Sequence, residues 1–230
     1  MPIPFHLLLA FGLLAMASPS QTQEAEKPPQ VRINYLNVCN PTDAEQQEIS
    51  AALSRIPQPQ FASDFEISRG RSTMEGAPPS RWVRIRKDFL AGSPFATSQY
   101  SISVDEKGVA ETLVFKMKET KDPQVSITNS ITGASSAAAV LATDTPAERV
   151  RLERFGKPSI VLARCRGADQ TSYEPLFRQA SEILARYRSA LGVSRTVPRE
   201  LAALGVPGMA AGARPPAARR DSHSDSAPKP

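Results

Sequence analysis

The chain has 230 residues, 28 Lys and Arg against 23 Asp and Glu, a formal net charge of +5, and two histidines. His6 lies in an apolar leader and His223 among Arg, Asp and Ser residues that cannot pack, so a folded body read from this sequence holds no histidine. That excludes Ser-His-Asp and Cys-His catalysis and nearly all zinc sites, because histidine supplies the base near neutral pH and the commonest metal ligand.

Residues 5–17 form an unbroken apolar run, ended by Ala15-Met16-Ala17 and followed at once by polar sequence. The run is shorter than the roughly 20 residues a helix needs to cross a bilayer. It predicts a signal peptide over 1–17, cleaved near Ala17, and a secreted or periplasmic product that does not span the membrane. The start, Met1-Pro2-Ile3-Pro4, carries no Lys or Arg, which leaves the α-amine and His6 as its positive charge. Residues 18–30 are polar and contain proline, and 194–230 are rich in Pro, Ala, Arg and Ser without hydrophobic periodicity. Both read as disordered flanks of one domain over 31–193.

Within that domain Val31, Ile33 and Tyr35 alternate, which predicts a strand over 31–39. Thr42 then caps a helix with Glu45 three residues on, Ile49, Ala52, Leu53 and Ile56 form one stripe, and Pro57 and Pro59 stop it. The period changes to two at Phe61, Phe65 and Ile67, through 81–90, and at Tyr100, Ile102 and Val104. Residues 109–117 follow Asp105-Glu106-Lys107-Gly108 as the second arm of a hairpin, and 124–131 predict a further short strand. Thr145-Pro146-Ala147-Glu148 carries the signals of a helix start, although Val150 and Leu152 also alternate as a strand would. Residues 159–165 read as a strand covered on both faces, and 173–191 as a helix with Leu176, Phe177, Ala180, Ile183, Leu184, Tyr187 and Leu191 on its apolar side. The sum is an α+β domain, an antiparallel sheet of about five to seven strands with two or three helices packed on it.

Cys39 and Cys165 each end a predicted strand and are the only cysteines, so they predict one disulfide. Closing so long a loop is worth at most about 4 to 5 kcal/mol in the chain-entropy view.

The most distinctive local composition is Ser80-Arg81-Trp82-Val83-Arg84-Ile85-Arg86-Lys87, preceded by Ser68-Arg69-Gly70-Arg71. In a strand Trp82, Arg84 and Arg86 share a face opposite Val83 and Ile85. If the preceding strand pairs antiparallel with this one, Arg69 or Arg71 joins them in a site where guanidinium groups grip phosphate, sulfate or carboxylate beside the indole. A solvated face, with arginine stems covering Trp82, accounts for the same pattern. Asp64 and Glu66 also share a strand face, at a spacing any two acids on an exposed strand would have. Neither Gly-x-Ser-x-Gly, Gly-x-Gly-x-x-Gly nor a Walker-type Gly-Lys-Ser/Thr occurs, and the small-residue loop from Thr132 to Ala137 reads as a linker. The sequence names no catalytic residue, metal ligand or cofactor. It points to an exported, non-catalytic binding module for an anionic ligand or envelope polymer, with anionic lipid, polysaccharide or an envelope protein as partner. The alternatives are a histidine-independent hydrolase or transferase using carboxylates such as Glu111 or Glu153, and a structural envelope component whose Arg214, Arg219 and Arg220 touch acidic polymers.

Overall fold

The computed structural model describes residues 36–73, 75, 78–118, 124–133, 137–143 and 145–206, leaving aside the side chains of 36–38, 63 and 64. The leader 1–17, the flank 18–30, residues 31–35 and the tail beyond 206, with Arg214, Arg219, Arg220 and His223, lie outside the described residues.

Alternating apolar residues build a single sheet of eight strands: β1 Leu36–Val38, β2 Phe61–Ser72, β3 Ser80–Phe89, β4 Phe95–Asp105, β5 Gly108–Met117, β6 Gln124–Thr132, β7 Arg149–Glu153 and β8 Ile160–Ala163. Their spatial order is β1-β8-β7-β6-β5-β4-β3-β2. From β2 to β8 every pair is antiparallel, while β1 runs parallel to β8 at the far edge. Strands adjacent in sequence, β1 and β2, therefore occupy opposite edges, and helix α1, Asp43–Ser54, carries the chain between them. A capping box starts that helix. The Thr42 hydroxyl accepts from the Glu45 amide at 3.3 Å and the Glu45 carboxylate accepts from the Thr42 amide at 2.9 Å.

One face of the sheet is apolar: Val83, Ile85, Tyr100, Ile102, Leu113, Phe115, Ile127, Val150 and Leu162 are all buried on it. Helices α1, α3 (Glu174–Ala190) and α4 (Val193–Ala203) lie on this side, with the short α2 (Ala137–Ala142) against α4 and β5. At its centre Tyr187 of α3 meets Phe115 edge-on, ring centroids 4.9 Å apart, and Phe61 and Phe89 pack against the same tyrosine. Its hydroxyl leaves the cluster to donate to the carbonyl of Pro57 at 2.8 Å.

The α+β class, the antiparallel sheet and the helix at 173–191 match the sequence reading, and the Cys39–Cys165 bridge is formed, with the two Cα atoms 5.5 Å apart. Three segments differ. Residues 149–153 form β7 rather than the helix that Thr145-Pro146-Ala147-Glu148 suggests, because Arg149 to Glu153 pairs with β6 on one side and β8 on the other. The folded body does not stop at residue 193. Gly192 takes a left-handed φ of 62° and restarts the chain as α4, which buries Val193, Val197 and Leu201. Ala137, read as the end of a linker, opens α2. Among the described residues no helix is long and apolar enough to cross a membrane.

Candidate ligand-binding face

Alternation along β3 sends Val83 and Ile85 into the core and Trp82, Arg84 and Arg86 to the opposite face, which α1, α3 and α4 leave open. The indole of Trp82 lies flat over Gly70 of the edge strand, so closely that a β-carbon there would come within 2.6 Å of its ring. The Arg84 guanidinium stands over the Trp82 ring, 4.6 Å from its centroid. Arg84 has no ion pair among the described residues and its Nε is buried without a hydrogen-bond partner. Arg86 is shared loosely between Glu66 at 3.9 Å and Asp88 at 3.5 Å, both exposed contacts of little energetic weight.

The remaining arginines of the predicted cluster go elsewhere. Strand β2 does pair antiparallel with β3, but Gly70 sits opposite Trp82, which places Arg69 opposite Val83 and Arg71 opposite Arg81 on the helical side. There Arg69 forms an ion pair with Glu200 of α4, and Arg81 donates to the carbonyl of Gly205 at 2.8 Å. A cation on that carbonyl satisfies the end of α4 as the helix dipole favours. Arg69 and Arg81 therefore anchor a helix, and only Trp82, Arg84 and Arg86 share the open face.

Following the register outward reveals arginines the sequence reading missed. Arg84, Ser101, Thr112, Thr128 and Arg149 are successive partners across β3, β4, β5, β6 and β7. The neighbouring row is Arg86, Gln99, Val114, Ser126 and Arg151. From β3 to β7 neither row contains a carboxylate. Arg149 is exposed and has no ion pair among the described residues, whereas Arg151 pairs with Glu153 at 3.1 Å. The alternation of Arg149, Val150, Arg151 and Leu152 was the available signal.

Among the described residues the carboxylates Glu66, Glu111 and Glu153 lie apart. Glu66 and Glu153 lie on the open face at β2 and β7, with four strands between them. Glu111 is wholly buried on the other face, where it accepts from the Tyr100 hydroxyl at 2.8 Å and, bidentately, from Arg188 Nε and a terminal nitrogen at 2.8 Å each. Burial and the Glu111 charge push the Tyr100 phenol well above its usual pKa. For Arg188, burial works downward, and the bonded carboxylate outweighs it to give a raised value. Asn129, opposite Glu111 on β6, is also fully buried, and its amide has no partner among the described residues. Among the described residues no group of His, Cys, Asp or Glu is arranged to hold a metal ion. Asp64, whose side chain is not described, adds nothing to this account.

No protein-family model, curated protein or solved structure matches the chain.

Proposed function

We propose that the protein is an exported, non-catalytic binding module that takes an anionic ligand on the open face of its sheet, at Trp82, Arg84 and Arg86. The observation that supports this reading most is the placement of Arg84. It stands over the only tryptophan, without an ion pair among the described residues, on a face that α1, α3 and α4 leave uncovered. A guanidinium so placed can offer two parallel N–H donors to a sulfate, phosphate or carboxylate while the indole limits its motion. Export rests on the apolar leader and agrees with the Cys39–Cys165 bridge, since such bonds persist in oxidising compartments.

The test is a titration of Trp82 fluorescence with heparin-derived oligosaccharide at low and high salt. Binding should change the emission, weaken as salt rises, and fall about tenfold in Arg84→Ala, the worth of a charged hydrogen bond. An unchanged spectrum together with no binding by calorimetry would remove the reading.

A further inference from the structure

We propose that the ligand is a linear acidic polysaccharide laid across the strands, gripped at Arg84 of β3 and again at Arg149 of β7. This extends, and rests on, the reading of Arg84 as an anion site. Adjacent strands lie about 4.8 Å apart, so the four steps from β3 to β7 separate the two guanidinium-bearing backbones by about 19 Å. No single sulfate or carboxylate spans that distance, whereas a chain with repeated anionic groups does.

What lies between the arginines identifies the chemistry of that chain. Ser101, Thr112 and Thr128 occupy the intervening positions, all half-buried, with the Thr112 and Thr128 hydroxyls 3.4 Å apart. A floor of hydroxyls matches the hydroxyl-rich backbone of a sugar polymer, and the row itself carries no carboxylate to repel its charges. Single-stranded nucleic acid would want successive aromatic platforms. Here the lone indole is already in contact with Gly70 and under the Arg84 guanidinium, and no second ring stands in the row. A lipid surface would want apolar side chains to insert, but among the described residues the exposed large hydrophobics are elsewhere. Phe65 is in register with Lys87 on the helical side, and Leu90 and Phe155 lie just beyond the ends of β3 and β7. The twist of a sheet turns each strand by about 20 to 25° from the last, so the ligand must be flexible enough to follow the row.

The experiment compares heparin-derived oligosaccharides shorter and longer than the span, by calorimetry, on the full chain and on Arg84→Ala, Arg149→Ala and Arg199→Ala, the last removing an exposed arginine of the helical layer. Affinity should rise by about tenfold or more once the oligosaccharide reaches both arginines, as linked contacts do. Arg149→Ala should abolish that rise while leaving the shortest ligand unaffected; Arg84→Ala should weaken every length; Arg199→Ala should change neither. Affinity independent of length, with Arg149→Ala silent, overturns the two-ended site and leaves the anion reading standing. Failure of every oligosaccharide to bind overturns both. Tighter binding to single-stranded DNA or to anionic vesicles than to oligosaccharide of equal charge overturns the choice of polysaccharide.

Discussion

A carboxylate with no solvent contact, as at Glu111, is tolerable because Arg188 and Tyr100 saturate it with hydrogen bonds. Arg188→Met would strand that charge in the core and is expected to cost about 3 to 5 kcal/mol in urea unfolding. Adding Glu111→Leu should recover much of the loss, because what destabilises is the unpaired ion rather than the missing pair. A single variant as stable as the parent would contradict this account of the core. Gly70 makes a second demand at the level of one residue. A methyl group there collides with the Trp82 ring, so Gly70→Ala should lift the indole off the sheet and shift its emission to the red, with only a small change in stability. An unaltered spectrum would mean that the indole does not rest on Gly70.

At the level of the element, legibility followed how local the cause was. The capping box of α1 and the prolines after it are written within a dozen residues, and the alternation of β3 alone separates Trp82, Arg84 and Arg86 from Val83 and Ile85. Where a distant partner decides, the sequence was ambiguous. Residues 149–153 follow a helix-start signal, but β6 and β8 on either side claim them as a strand, and with the helix reading went sight of Arg149 and Arg151 on the open face. The face of Arg69 and Arg71, by contrast, was legible locally: alternation along β2 puts them with Phe65 and Ile67 on the helical side, a signal the sequence reading passed over. Residues 194–230 read as a disordered flank, yet the burial of Val193, Val197 and Leu201 offsets the backbone bond that Pro198 forfeits inside α4. Strand β1 is the most weakly held element by length, with three residues on β8. Its hold is the bridge at Cys39, reinforced by the Tyr173 hydroxyl donating to the Cys39 carbonyl. Reduction should lower stability by up to about 4 kcal/mol, and hydrogen exchange should show β1 and β8 losing protection first. Protection lost first at β4 and β5 would refute that role.

For the whole molecule, stability should hold across neutral pH and fail at both ends for identifiable reasons. Arg164 donates to Glu174 at 2.8 and 2.9 Å, and these bonds hold the Glu174 carboxyl below its ordinary pKa of 4.5. A depressed carboxyl pKa contributes stability above the unfolded value, and that contribution drains away as pH falls through the folded one. Burial raises the phenols of Tyr100 and Tyr187 above the ordinary 10.0, so their contribution is full below pH 10.0 and is lost as pH rises through the folded values. In an alkaline titration followed by phenolate absorbance, these two tyrosines should ionise only as the fold opens. Ionisation of every tyrosine near pH 10.0 with the fold intact would contradict their burial.

Across the same molecule charged groups hold the helical layer to the sheet, as Arg69 with Glu200, Arg81 with the end of α4 and Arg188 with Glu111 show. The open face keeps arginines that no helix uses, and it is there that the proposed activity resides. Nuclear magnetic resonance mapping of an isotopically labelled sample titrated with a heparin-derived octasaccharide tests this most directly. The shifts should trace Trp82, Arg84, Ser101, Thr112, Thr128 and Arg149 while the resonances of α1 and α4 stay in place. Shifts confined to the helical side, or none at saturating oligosaccharide, would contradict it.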